Sequence, residues 1–181
     1  MSCEITNGRL EVCKDAVGGI DAVYFINFGS YNPADITYVS STDTIDLISG
    51  PTSLYKYELK GTNSFEQVLN SSRENGTTFV EQTLTMTLKK QDATTHKNVK
   101  LLAYGRPNVV IRNRNNQYFL AGLENGMEVT TANVSNGTAM GDLSGYTLTF
   151  VGQEKIYANL LDCTSEATLT ALFDNATIVY S

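Results

Sequence analysis

The chain of 181 residues has no tryptophan, one histidine and three cysteines, and only 18% of its residues are charged. Each shortage excludes something. Without tryptophan, a sugar-binding surface lacks its preferred stacking partner, and ten tyrosines would have to substitute. His96 stands without Cys, Asp or Glu at metal-ligand spacing, so it reads as a partly exposed surface histidine and no metal site is expected. Cys3, Cys13 and Cys163 are odd in number and form no CxxC pair, which predicts reduced thiols in a protein made in a cytosol. No run approaches the roughly 20 apolar residues of a membrane-spanning helix. The start, MSCEITNGRLEVCK, has neither the basic region nor the apolar stretch of a secretory leader. The Asn-x-Ser/Thr triplets at Asn70, Asn75, Asn133, Asn136 and Asn175 then reflect high Asn and Thr content, not glycosylation.

Positive charge is also scarce. Thirteen Lys and Arg against 19 Asp and Glu give a net charge of −6, which argues against general binding to nucleic acid. An acidic surface still suits a protein that must let DNA pass without retaining it.

Catalytic signatures are missing too. There is no HExxH, no nucleophile elbow and no GxxxxGK[ST] phosphate loop, and Gly18–Gly19 precede a strand instead of leading one into a helix. The carboxylate pairs Glu11/Asp15, Asp43/Asp46 and Glu124/Glu128 lack the DxDxDG order of a calcium loop and read as solvated surface. Asp142 reads as a turn residue. The expectation is a protein that is not an enzyme and holds no cofactor.

What the chain does contain is strand. At 181 residues it is most simply one domain with a substantial core. Aromatic and β-branched residues mark strands at 21–28, 36–40, 44–48 and 53–60, where Tyr55, Tyr57 and Leu59 share one face. Further strands are expected at 108–113, 117–123, 127–134 and 145–161, with a hairpin turn at Asn136–Gly137 and a final strand in ATIVYS. Gly152, inside the 145–161 pattern, marks a bulge or a close backbone approach. One clear helix spans 92–104: Asp92 is its N-cap, Val99, Leu102 and Ala103 its apolar face, and Gly105 and Pro107 its stop. A second, short helix is expected near 165–173.

The most regular feature is the hairpin SFEQVLNSSRENGTTFVEQTLTMTLKK, with its turn at Asn75–Gly76. Its second strand places Val80, Gln82, Leu84, Met86 and Leu88 on one face and Glu81, Thr83, Thr85 and Thr87 on the other. A ribbon this long is marginal alone and presents unpaired edges, so it must be packed, or its edges covered by further copies. The pattern predicts a mainly antiparallel β-sandwich or partial barrel, with a long hairpin and one packed helix.

The segments 55–90, 92–105 and 145–161 together resemble bacteriophage tail tube proteins in their order and texture. In that family a sandwich flanked by a helix lends long strands to a hexameric ring, and rings stack into a conduit for the genome and the tape-measure protein. The resemblance implies a self-assembling virion component of the phage tail, made in the host cytoplasm. It implies a homo-oligomer, with tape-measure, terminator and sheath proteins as candidate partners, DNA as a transient passenger and no membrane. By analogy, Glu66, Glu81, Thr83, Thr85 and Thr87 face the lumen. Ser72, Arg73, Glu74 and Asn75 in the hairpin turn, with the segments 1–20 and 162–181 as arms, make ring-to-ring or inter-subunit contacts. A tail terminator or connector ring would share this texture. A carbohydrate-binding or adhesin-like sandwich, using Tyr55 and Tyr57, is the alternative from another class.

Overall fold

Strand β1 (Ile20–Ile26) is an apolar run buried on both faces, which is why it shows no alternation. It lies at the centre of a six-stranded sheet. On one side it pairs with β4 (Ser53–Glu58), which in turn takes β12 (Thr177–Val179) as a parallel neighbour. On the other side follow β7 (Asn108–Asn113), β8 (Tyr118–Ala121) and the two-residue β11 (Asn159–Leu160). The computed structural model describes Ile5 and residues 7–180.

The second sheet has four antiparallel strands. Its order is β5 (Ser64–Ser72), β6 (Thr77–Lys89), β10 (Gly145–Glu154) and β9 (Glu128–Ser135). Val23, Phe25, Val109 and Ile111 of the first sheet meet Leu84, Met86, Tyr146 and Phe150 of the second in one core. Phe25 and Phe150 touch across the gap, with ring centroids 5.3 Å apart. The opposite face of the first sheet, with Tyr24, Ile26, Leu54, Val110 and Leu120, forms another core. That core is closed by the small hairpin β2 (Thr37–Val39) and β3 (Thr44–Leu47), and by α2 (Glu166–Leu172). The expected β-sandwich, mainly antiparallel with a packed helix, is therefore the fold observed.

Local signals explain the element ends. Helix α1 (Ala93–Tyr104) begins where Asp92 accepts a bond from the Thr95 amide at 2.8 Å. It ends at Gly105, which is extended rather than left-handed. Of its predicted apolar face only Val99 is buried; Leu102 is half-buried and Ala103 exposed. The shorter α2 is the deeper helix, with Leu169 and Leu172 in the core and Ser165 completing a capping box with Thr168.

Three expectations need correction. The single strand over 145–161 is two strands in different sheets: β10 ends at Glu154, and the chain crosses to β11 while the Ala158 amide donates to Gln67 at 2.6 Å. The turn expected at Asn136–Gly137 is a longer loop, in which Asp142 accepts from the Thr138 and Ala139 amides, both at 2.8 Å. The segment 162–180 is no projecting arm, because α2 and β12 are built into the first sheet and its core. Of the N-terminal arm, residues 1–4 and Thr6 lie outside the described residues. Residues 7–18 are exposed and belong to no strand, and Asn115 holds Val17 through paired bonds of 3.0 and 2.9 Å.

Candidate functional site

The pleat sends Val80, Gln82, Leu84, Met86 and Leu88 of β6 into the core and leaves the alternate residues on the outer face. The register then aligns rows across the sheet. Nearest one end lie Thr87, Thr147 and Asn133; next come Ser64, Thr85, Thr149 and Thr131. Then follow Glu66, Thr83, Val151 and Glu128, and finally Val68, Glu81 and Gln153. Glu66, Glu81, Thr83, Thr85 and Thr87 are thus brought together on one surface. No Lys or Arg occupies any of these four rows; Lys89 lies one step beyond the first.

The sequence pointed to five of the fourteen residues on this surface. The Thr147/Thr149 alternation was visible in GYTLTF, but nothing local said that it aligns with Thr87 and Thr85. Glu128 was hidden because β9 shifts register opposite Thr149–Phe150, so simple alternation along 127–134 fails. Gln82 was grouped with the apolar face and is 1% exposed there. Its side-chain oxygen accepts the Gly122 amide at 2.9 Å, tying the two sheets together.

Beyond the Leu69–Val80 pair the hairpin has no third strand among the described residues and continues as a two-stranded ribbon. Ser71 and Thr78 bond across it at 3.0 Å. Ser72, Arg73, Glu74 and Asn75 sit at its tip, where Gly76 adopts φ +63° and the Asn75 amide reaches Ser72 Oγ at 3.3 Å. Leu69 and Phe79 flank the ribbon, both exposed. The outer edges of β5 and β9 pair with no strand among the described residues.

Two polar clusters lie elsewhere. Glu166, at the start of α2, takes Lys56 at 2.6 Å, the Tyr24 hydroxyl at 2.8 Å and Arg112 at 3.5 Å, all on one carboxylate oxygen. Burial pushes its pKa up, but the bonds from Lys56 and Tyr24 and the charge of Arg112 outweigh that and hold it below the ordinary value. Glu154 is buried and accepts the Glu124 and Asn125 amides at 3.0 and 2.8 Å. There burial wins and raises its pKa. Neither cluster has the nucleophile and base of a catalytic set. The His96 ring lies 3.4 Å from the hydroxyl of the buried Tyr146, and no metal-holding group of His, Cys, Asp or Glu occurs among the described residues.

A groove of about 540 Å³ between α1 and β4 is lined by Tyr55, Tyr57, Leu101 and Tyr180, with Asn27 and Asn98 as its amides. Tyr57 is committed to the core, meeting Phe25 edge-on at 5.2 Å. No helix among the described residues is long and apolar enough to cross a membrane. Compared with protein-family models, curated proteins and solved structures, the chain matches none.

Proposed function

We propose that this chain is the structural subunit of a bacteriophage tail tube, a ring-forming protein without enzymatic activity or cofactor. The observation that carries the proposal is the outer face of the four-stranded sheet, four rows of hydroxyl, amide and carboxylate groups interrupted only by Val68 and Val151 and without a cation, bounded by two edges that pair with no strand among the described residues. Joining the β5 edge of one copy to the β9 edge of the next removes both edges and closes the sheets into a barrel. The hydroxyl face then lines the lumen, and the apolar side of each sheet stays within its own sandwich. Glu66, Glu81 and Glu128 repel DNA phosphates, and the threonines offer no charge to hold them. The protein belongs in the virion, with tape-measure and terminator proteins as neighbours and DNA as a passenger.

Negative-stain electron microscopy and mass measurement of the purified protein test this. Rings or tubes of several subunits are expected, and a strict monomer at high concentration refutes the reading. Reversing Glu66 and Glu81 to Lys should leave assembly intact and impair genome delivery; unchanged infectivity would remove the lumen-charge argument. The groove at Tyr55 supports the second reading, a glycan-binding module, which a glycan array without hits dismisses.

A further inference from the structure

Asparagine followed by glycine is a chemically labile step, and the chain contains it at Asn7–Gly8, Asn75–Gly76, Asn125–Gly126 and Asn136–Gly137. The glycine has no β-carbon to shield its amide nitrogen from the asparagine side chain. That nitrogen attacks the side-chain carbonyl carbon only when it is free of a hydrogen bond and the side chain can swing onto it. Structure therefore decides which of these equivalent dipeptides reacts.

Asn125 is locked in three ways. Its side-chain nitrogen donates to the Gln153 carbonyl at 2.8 Å, its own amide to Glu154 at 2.8 Å, and the Gly126 amide to the Gly122 carbonyl at 3.1 Å. Asn136 is held more lightly. Its side-chain oxygen accepts from Gln91 at 2.7 Å, and the Gly137 amide reaches Ser135 Oγ at 3.3 Å. At Asn75 neither reacting group is engaged: its side chain and the Gly76 amide make no hydrogen bond among the described residues. Both residues are exposed, and a β-carbon added at Gly76 would meet nothing within 4 Å. The ribbon behind them has no third strand among the described residues, so the turn opens without disturbing the core. Asn7 and Gly8, exposed and outside any strand or helix, provide an unstructured reference.

We propose that Asn75 is a site of spontaneous deamidation and isomerisation, a covalent change of the ribbon tip that needs only water. The Gly76 nitrogen bonds to the Asn75 side-chain carbonyl carbon, and the side-chain nitrogen leaves as ammonia, giving a five-membered succinimide. Water then opens the ring at either carbonyl. One opening gives an ordinary aspartyl residue. The other routes the main chain through the side chain as an isoaspartyl residue, which adds a methylene to the turn. Either way the tip, balanced by Arg73 and Glu74, gains one negative charge. The inference concerns the single subunit and does not rest on the ring reading.

The test follows all the Asn-Gly sites together in full-length protein, taken as the single-subunit fraction and incubated at mildly alkaline pH. Peptide mass mapping reads the conversion of amide to acid at each site, and isoaspartyl methyltransferase labels the isomerised product. In the folded protein Asn75 should convert about as fast as Asn7. Asn125 should be roughly a hundredfold slower because three hydrogen bonds must open first, a factor that converts to about 2.8 kcal/mol. Asn136 should fall between them. In urea, where these bonds are gone, all the sites should convert at similar rates. Gly76→Asn places a residue that also accepts φ +63°, so it should keep the fold while hindering the attacking nitrogen and suppressing the reaction at Asn75. Conversion at Asn75 no faster than at Asn125 in the folded protein overturns the inference. So does an ordering that persists in urea, or undiminished conversion of Asn75 in Gly76→Asn.

Discussion

Removing Glu166 should loosen the docking of α2 on the first sheet, and its cost follows from the contacts. One carboxylate oxygen serves the Lys56 ammonium at 2.6 Å and the Tyr24 hydroxyl at 2.8 Å. In a dry interior, hydrogen bonds to a charged group would each contribute about 1.5–3 kcal/mol. Two facts reduce that figure. Glu166 keeps 32% of its side chain exposed, and Lys56 retains Glu58 at 3.2 Å, so the ion-pair share falls to the roughly 0.2–1 kcal/mol of a surface pair. Tyr24 is fully buried and would keep Arg112 as a donor but lose its acceptor, which places the cost towards the lower end of about 1–3 kcal/mol. Glu166→Ala should therefore destabilise by about 2 kcal/mol, a fall in melting temperature of roughly 4–8 °C for a domain of this size. Glu166→Gln keeps an acceptor for Tyr24 and should lose about half as much. The pH dependence has a fixed sign. Because the folded pKa is depressed, the contribution is complete above the unfolded carboxylate value and disappears as pH falls through the folded one. Urea unfolding of the three proteins between pH 3 and 7 measures all of this. An alanine variant within 0.5 kcal/mol of wild type at neutral pH, or a difference that grows on acidification, refutes the reasoning.

Glu154 should behave in the opposite sense. Burial raises its folded pKa, so the stability it contributes is present in acid and lost as pH rises through that value. The stability of Glu154→Gln relative to wild type should climb with pH, and a flat difference between pH 3 and 7 would count against the assignment. Gly145 has no room for a side chain, because an added β-carbon would lie 2.1 Å from the Leu88 carbonyl oxygen. Gly145→Ala should cost about 1–3 kcal/mol by forcing β10 from β6, whereas Gly141→Ala, with nothing within 4 Å, should be neutral. Equal denaturation midpoints for the two variants would show that the strand pair yields.

Whatever depends on neighbours within a few residues could be read from the sequence. The two faces of β6, the Asp92 cap and the short α2 follow from the pleat, from a side-chain acceptor and from helical spacing. What escaped was non-local. β12 joins β4 in parallel across more than a hundred residues, and nothing in TIV names that partner. β11 carries only two residues, too few for any periodic signal, yet it transfers the chain from one sheet to the other. The weight given to α1 was misplaced for the same reason. Its caps are clear, but burial depends on what packs against it, and α2 covers the core more fully.

The candidate surface illustrates the same division. Threonine at alternate positions of a central strand is explained by β-branching alone, so Thr83, Thr85 and Thr87 imply nothing about a ligand or a lumen. The register alters their weight. The second central strand, β10, repeats the pattern at Thr147 and Thr149, and β9 supplies Thr131 and Asn133 in the same rows. β-propensity would be served equally by Val, Ile or Tyr on such a face, and solubility equally by Lys. A face that uses hydroxyls, confines carboxylates to one end and keeps lysine at the other satisfies more than propensity and solubility require. The tail tube proposed above supplies such a requirement, a wall along which a polyanion moves.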